Sequence, residues 1–401
     1  MKTLLVVSDQ RDWPVTIRGL QVVTACRYLT EPAYTYCSDT RVFNLSHCMR
    51  YQSFGYYVSM LAEARGHRPV PDIGAIEDMH AGGMPAAIPG SLDTRCCHRR
   101  EPVEMPTLAI LRTPGGAAMP SNSAAIRKFM QAADDMGMRA EVLTRGQSGR
   151  IAEFDALFIR DTTRLNHYTY RIARHAENAG LVVMDDPDSI IRCSNKLFLH
   201  ELLTRHAIPT PKTLLVHRGN LDQVMPALGV PCILKQPDSA FSLGVVKVRT
   251  PQELRDRATT LFANSELLLA QEYLPTDFDW RIGILDHRLL FACRYHMAPG
   301  HWQVIKHEGD SRYSEGLAEA VPLDQVPPDV VSLALAAASL IGDGFYGVDL
   351  KQRGGQSYVI EVNDNPNVDA GNEDGVLGDA LYRQVVGVIR ARIEAGTGWL
   401  S

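Results

Sequence analysis

The sequence predicts a multidomain protein of mixed α/β and α+β class, and three observations carry that expectation. A chain of 401 residues is longer than one ordinary hydrophobic core serves, so two or three domains are expected. Between residues 108 and 184 short apolar runs alternate with longer helical ones, the order of a parallel sheet flanked by helices. From Ser194 onward the order becomes mixed, with strands following strands as well as helices.

The first element is a strand over 3–7, since the opening MKTLLVVSDQ has one lysine and an apolar run of five residues, too short for a secretory signal. A helix over 55–64 follows, stopped by Gly66 as a C-cap would stop it. Tyr34, Tyr36, Phe43, Tyr51, Phe54, Tyr56 and Tyr57 make this part aromatic; core is the expected role and a substrate or partner surface the alternative. From 74 to 106 periodicity is lost among Gly and Pro, which reads as a linker or long surface loop. Then come strands at 108–112, 140–144, 156–160 and 181–184, with helices at 123–136 and 165–178. The first turn of this unit, RTPGGAAMPSNS, lacks G-x-G-x-x-G and argues against a Rossmann dinucleotide site. Arg160, Asp161, Thr162 and Thr163 fall at the carboxyl end of a strand, where open α/β sheets place ligands.

Further on, Ser194 is the expected N-cap of the helix NKLFLHELLTRHA. A strand over 213–216, a helix near 221–228, the strand-loop-strand PCILKQPDSAFSLGVVKVR, a helix over 251–263 and a strand over 267–272 come next. Strands at 281–285 and 289–296 precede an irregular charged stretch, 299–319, and helices are expected at 329–341 and 379–394. Between those helices, FYGVDLKQRGGQSYVIEVNDNPN at 345–367 reads as a hairpin around Gly354 and Gly355. Side chains two apart on a strand share a face, so Val348, Leu350, Ile360 and Val362 turn one way and Asp349, Glu361 and Asn363 the other. A three-residue loop over 354–356 would set Asp349 opposite Glu361 with Asn363 two residues on. Two carboxylates and an amide are oxygen ligands of the kind Mg²⁺ takes. A surface hairpin with a polar outer face fits the same stretch taken alone.

Composition excludes several function classes. With 45% hydrophobic and 22% charged residues the chain is globular, and a net charge of −5 leaves no basic footprint for nucleic acid or an anionic membrane surface. No run approaches the roughly 18 apolar residues of a membrane span. Cys26, Cys37, Cys48, Cys96, Cys97, Cys193, Cys232 and Cys293 show no disulfide-framework spacing, so reduced thiols in the cytoplasm are expected. His80, Cys96, Cys97 and His98 are metal-ligating types, but the adjacent cysteines lack the separation of about two to four residues usual in structural zinc sites.

S-N-K-L at 194–197, C-I-L-K at 232–235, Q-E-Y-L at 271–274, D-W-R at 279–281, G-V-D-L at 347–350 and E-V-N-D-N-P at 361–366, in this order, resemble the ATP-grasp superfamily and within it the RimK-like carboxylate-amine ligases. The resemblance spans roughly residues 185–395, and residues 1–75, with SFGYYVSMLAEARGH, look like the N-terminal domain that some RimK-like ligases carry. It implies an ATP-grasp fold: an N-terminal domain over 1–75, a linker over 76–105, a parallel pre-grasp α/β domain over 106–190 and a catalytic domain over 191–401. The central lobe of that domain, about 191–272, and its C-terminal lobe, about 273–401, would enclose ATP.

The same resemblance implies roles for individual residues. Lys196 and Lys235 would neutralise the nucleotide phosphates, beneath a covering loop that includes Ser242 and Gly244. Gln271, Glu272, Tyr273 and Leu274 would form the hinge that pairs with the adenine edge, Leu274 packing on the ring. Asp279 would accept from ribose hydroxyls, and Arg281 would meet phosphate or an acyl phosphate with its fork of donors. Asp349, Glu361 and Asn363 would hold Mg²⁺, two ions being expected with Mn²⁺ as an allowed substitute. Lys235 and Arg281 are the expected catalytic pair, and Arg160, Arg294, Lys306, His307, Arg312 and Asn365 are the candidate substrate contacts. The chain departs from the family in DSAFSLGV, which keeps only Gly244 of a glycine-rich loop, and over 297–312, which lacks the RimK-type arginine and glycine pattern. Glutamylation of a ribosomal protein is therefore not carried over. The implied activity joins a small carboxylic acid to an amine, an amino acid or small peptide being the expected substrate, with ATP consumed through an acyl phosphate. No nucleic acid or membrane partner is expected, and a homo-oligomer is compatible with this reading. A kinase on the same scaffold and an ATP-binding module without turnover are the alternatives.

Overall fold

The computed structural model describes residues 2–80 apart from Thr16, Arg18 and Ser38, and residues 105–113, 119–239, 243–307 and 313–397. They form two compact units, each assembled from two stretches of chain: Met1–Thr94 with Asn195–Leu274, and 95–194 with 275–401.

The chain begins with β1 (Lys2–Val7), β2 (Leu20–Thr24), α1 (Ala25–Thr30), β3 (Thr40–Leu45), α2 (Phe54–Ala64), β4 (Arg68–Val70) and α3 (Ile73–His80). The strands form a parallel sheet in the order β2-β1-β3-β4. Ser53 caps α2 by accepting from Tyr56 N–H, and Gly66, at φ +68°, ends it in a Schellman motif in which His67 N–H reaches Ala62 O and Gly66 N–H reaches Glu63 O. Tyr34, Tyr56 and Tyr57 are core, whereas Tyr36 is 69% exposed. The stretch expected as loop from residue 74 is helical through His80, because Asp72 starts a turn there by accepting from Ala75 N–H at 2.7 Å. Cys96, Cys97 and His98 lie outside the described residues.

A second parallel sheet, β6-β5-β7-β8, is built from β5 (Thr107–Leu111), α4 (Ser123–Asp135), β6 (Arg139–Leu143), β7 (Ala156–Ile159), α5 (Tyr168–Asn178) and β8 (Val182–Met184). A helix absent from the sequence reading follows, α6 (Pro187–Ser194), started by Asp186 accepting from Ser189 N–H at 2.9 Å. Ser194 is therefore not the expected cap. It ends α6 with its hydroxyl on Ile190 O, and Asn195 caps α7 (Lys196–Arg205) by accepting from Leu197 and Phe198 N–H at 3.0 and 3.1 Å.

Next come β9 (Thr213–Val216), α8 (Val224–Leu228), β10 (Cys232–Lys235), β11 (Val245–Val248), α9 (Pro251–Leu261) and β12 (Leu268–Glu272). Their antiparallel sheet runs β11-β10-β12-β9, and one face, with Cys232, Leu234, Val248 and Ala270, packs on Leu254 and Ala258 of α9. In this first unit Arg65, at the end of α2, is fully buried against Glu201 of α7. Nη2 and Nε donate to the two carboxylate oxygens at 2.6 and 3.1 Å, while Nη1 and Nη2 reach the Tyr28 and Leu29 carbonyls at 2.5 and 2.9 Å.

The last stretch contributes β13 (Phe278–Leu285), β14 (Arg288–His296), β15 (Ile305–His307), β16 (Tyr313–Glu315), β17 (Ala318–Val321), α10 (Pro328–Ser339), β18 (Phe345–Arg353), β19 (Gln356–Asn363) and α11 (Asp379–Thr397). Two of these short strands, β15 and β16, fall in the stretch expected to be irregular, and β17 begins at its end. The main sheet runs β17-β14-β13-β18-β19 and is antiparallel. Phe291, Phe345 and Cys293 on this sheet share one core with Phe129 of α4 and with Leu381 and Val385 of α11.

The hairpin reaches its expected register by another route. Gly354 and Gly355 form a two-residue turn at φ +60° and +79°, as a type I′ turn requires, so Arg353 pairs with Gln356. The extra residue lies inside the ladder: Leu350 pairs with Val359 while Asp349 pairs with Glu361, which leaves Ile360 as a bulge. Val359 takes the core position expected of Ile360 and is 1% exposed, and Ile360 is only partly buried. Among the described residues no helix is long and apolar enough to cross a membrane.

Candidate active site

In the first unit the polar candidates collect on the face of β10-β11-β12 opposite the α9 core. Ile233 pairs with both Lys247 and Gln271, so alternation puts Lys235, Lys247 and Gln271 on that one face. Lys235, 9% exposed, donates to Gln271 Oε1 at 2.6 Å, and Gln271 Nε2 donates to Thr213 Oγ1 at 3.1 Å. Lys247, which the sequence reading missed although it stands two residues beyond Val245 on a strand, has its ammonium 4.5 Å from the Tyr273 ring centre. Burial pulls its pKa down. Glu272 caps the neighbouring chain by accepting from Lys212 N–H at 2.6 Å, and Leu274 is buried. Lys196, first in α7, donates to Ser239 O at 2.5 Å. Gly244 sits at φ +67°, where a Cβ would stand 2.7 Å from Gln236 Oε1, so a side chain would disrupt the turn closed by Gln236 N–H on Gly244 O. Ser242 lies outside the described residues.

In the second unit Arg281 of β13 faces Asp349 of β18 in register and pairs with it through two bonds, Nε to Oδ1 and Nη2 to Oδ2, the latter at 2.9 Å. Gly347 makes room for this arm: a Cβ there would stand 3.0 Å from Arg281 Cδ. Asn363 Nδ2 donates to Asp349 Oδ2 at 3.3 Å, and Glu361 is the cross-strand partner of Asp349. The guanidinium lies 4.9 Å from the Tyr295 ring, whose hydroxyl donates to buried Glu373 at 2.5 Å. Asp279 accepts from Thr276 Oγ1 at 3.0 Å and from Lys351 Nζ at 2.5 Å. Lys351 is a second residue the sequence reading passed over, although it stands two residues from Asp349. Asp364, next after Asn363, turns inward, and burial pushes its carboxyl up to about 7.

The described candidate substrate contacts fall on several elements of the second unit. Arg160 is 0% exposed and its donors are taken: Nε by Ser121 Oγ at 3.0 Å, Nη1 by Asn365 Oδ1 at 2.7 Å, and Nη2 by the Pro120 and Pro366 carbonyls at 2.5 and 2.8 Å. Burial leaves it no face for substrate, so it is a support for the turn after β19, and Asn365, which also donates to Asp161 O at 2.6 Å, belongs to that support. Arg294 pairs in register with Trp280, one residue out of phase with Arg281, and so lies on the opposite face of the sheet, over the Phe278 and Trp280 rings. Lys306 and His307 stand on the separate two-stranded ribbon β15-β16. Arg312 lies outside the described residues.

Asp349, Glu361 and Asn363 fit a hard divalent cation. Burial pushes the Asp349 carboxyl up, Arg281 pulls it down, and the charges of Glu361 and Asp279 push it up again, so a cation here would relieve carboxylate repulsion. Among the described residues no three His, Cys, Asp or Glu side chains converge as ligands, so the amide oxygen of Asn363 would complete the set.

Two family descriptions match the chain: the RimK-like ATPgrasp N-terminal domain at residues 25–106 and the RimK-like ATP-grasp domain at residues 193–378. A probable alpha-L-glutamate ligase 1 of Shewanella amazonensis is 25% identical over 287 residues, 67% of this chain and 90% of that protein. D-alanine–D-alanine ligase from Bacillus anthracis has a TM-score of 0.54 at 16% identity, covering 72% of this chain and 98% of that one. A RimK domain ATP-grasp protein from Sphaerobacter thermophilus has a TM-score of 0.54 at 15% identity, covering 71% and 99%. At such identities the likeness to the two structures is one of fold.

Proposed function

Because the chain belongs to the RimK-like ATP-grasp proteins, a family of carboxylate-amine ligases, we propose that it activates a carboxylic acid with ATP as an acyl phosphate and passes the acyl group to an amine, releasing ADP and phosphate. The observation that carries this reading is the set on one sheet face, Arg281 paired with Asp349, beside Asn363 and opposite Glu361. Such a set suits phosphoryl oxygens and their counter-ion. The relatives' name supports an amino acid or small peptide as substrate. The described cysteines are free thiols, which supports a reducing compartment, the cytoplasm.

A carboxylate is a poor electrophile, and transfer of the γ-phosphoryl group to its oxygen supplies a leaving group. The amine nitrogen then attacks the acyl carbon, the bond from that carbon to the phosphate oxygen breaks, and the nitrogen gives up its proton. Lys196 and Lys235 offset phosphate charge, Lys235 being steadied by Gln271. Arg281, paired with Asp349 through Nε and Nη2 and lying against the Tyr295 ring, turns its Nη1 to the transferring group. Mg²⁺ held by Asp349, Glu361 and Asn363 would supply charge neutralisation along the phosphates. No nucleophilic side chain is required.

A screen of amino acids and small peptides for ADP release finds the acid. With that acid and ATP but no amine, added hydroxylamine should be captured as a hydroxamate with ADP as the nucleotide product. AMP and pyrophosphate, or ADP without hydroxamate, obtained with a substrate that supports turnover, would defeat the acyl-phosphate mechanism.

A further inference from the structure

Within the first unit the N-terminal domain reaches the stem of the expected phosphate loop. After β10 the chain turns through Asp238, whose carboxylate is gripped from several sides. Gln52 Nε2 donates to Oδ2 at 2.6 Å, Asn195 Nδ2 donates to Oδ1, and the Tyr51 hydroxyl adds a further bond. The Lys196 ammonium acts on the same carboxylate while it donates to Ser239 O, and Lys196 N–H donates to Pro237 O at 2.8 Å. Carboxylate, lysine and turn are thus one polar cluster, and two of the groups that hold it, Tyr51 and Gln52, belong to the N-terminal domain.

Gln52 stands at φ +64°, a conformation in which glycine is the residue of least strain. The backbone around it is fixed independently of the side chain: Glu266 N–H donates to Gln52 O at 3.0 Å, and Phe54 N–H donates to Glu266 Oε2 at 2.5 Å. A glutamine tolerated there is explained by what its amide reaches. Without that amide the buried carboxylate loses a donor, and Lys196, the cation that already acts on it, would be drawn toward it and off its place beside the turn.

We infer that Gln52 and Asp238 are positioning residues for the phosphates of ATP: they hold Lys196 and the turn after β10 in place, so that the N-terminal domain sets nucleotide affinity. This rests on the ATP-site reading of Lys196 and Lys235 given above.

The test uses the full chain with a non-hydrolysable ATP analogue and with adenosine, which lacks phosphates, each titrated by calorimetry beside a thermal melt. Gln52→Gly removes the amide and relieves the backbone. It should weaken the analogue about tenfold, the scale of one hydrogen bond to a charged group, with adenosine binding unchanged and the melting temperature unchanged or raised. Asp238→Asn, to which Gln52 can turn its amide oxygen, should lose less than Asp238→Ala, and adding Gln52→Gly to Asp238→Ala should cost nothing more. Wild-type affinity in Gln52→Gly, with Lys235→Ala weakened as a control, overturns the inference alone. Wild-type affinity in both overturns the ATP-site reading with it. An equal loss for adenosine and a lower melting temperature show a merely structural role and also overturn it.

Discussion

Replacing Arg65 by methionine should loosen α2 and α7 together, and the size of the effect follows from what the guanidinium touches. Its side chain and that of Glu201 are 1% and 5% exposed, and four donor contacts are made, two to the carboxylate and two to main-chain carbonyls. Methionine fills much of the space and leaves Glu201 buried without its cation. Breaking a buried pair from one side costs about 3–5 kcal/mol. At about 1.4 kcal/mol per decade that is roughly two to three and a half decades in the opening constant. Hydrogen exchange is the assay of choice because a chain of two units need not unfold in one step. The slowest amides of α2 and α7 should exchange at least a hundredfold faster in Arg65→Met. In Arg65→Met/Glu201→Leu, where no charge is stranded, most of the protection should return. Less than a tenfold change in Arg65→Met, or no recovery in the double variant, would refute the stranded-charge reasoning.

Three further outcomes are expected. Glu361→Gln should abolish Mg²⁺-dependent ATP turnover with circular dichroism unchanged, since a charged ligand of a hard cation is lost; undiminished ADP release would remove the metal assignment. Lys235→Ala should raise the ATP requirement and slow turnover at least tenfold, about 1.4 kcal/mol in transition-state terms, and wild-type kinetics would make this lysine a bystander. His67 should make the first unit less stable in mild acid. Burial holds its pKa down at about 4; its Nε2–H donates to Cys37 O while its Nδ1 accepts from the Tyr28 hydroxyl, an arrangement made for the neutral ring. Because the folded pKa lies below the ordinary value of about 6.5, the unfolded chain takes up the proton first, so stability falls as pH drops from about 6.5 toward 4 and levels off below. Urea midpoints across that window should show the fall, and His67→Gln should flatten it; an equally steep fall in the variant would assign it elsewhere.

The sequence was most legible where a short-range rule decides the outcome. Alternation and the Gly354-Gly355 pair located the hairpin, and the strand-helix order located the sheet β6-β5-β7-β8. It was less legible where two local signals compete: Asp186 and Pro187 form an N-cap and first helical position that would have revealed α6, but the S-N-K-L motif drew the cap to Ser194. Pairings such as Arg65 with Glu201, 136 residues apart, leave no local trace, nor does the burial that turns Arg160 from a candidate contact into a support. Lys247 and Lys351 were within reach of the period-two rule already applied to Asp349.

The bulge at Ile360 divides the hairpin into two segments that answer differently to insertions and deletions. Between the bulge and the Gly354-Gly355 tip, a matched pair of residues can be added or removed while the relation of Asp349 to Glu361 stays as it is, because the register there is set above the change. Deleting Ile360 itself would straighten the ladder and leave Leu350 opposite Val359 and Asp349 opposite Glu361, because the residue removed is the one without a cross-strand partner. Losing a residue beyond the bulge is different: without Val362, Asn363 would follow Glu361 directly and turn toward the core, so that one lost residue with no charge of its own would take an amide off the ligand face. Length variation among related hairpins should therefore be tolerated in matched pairs at the tip and at the bulge, and excluded between Glu361 and Asn363.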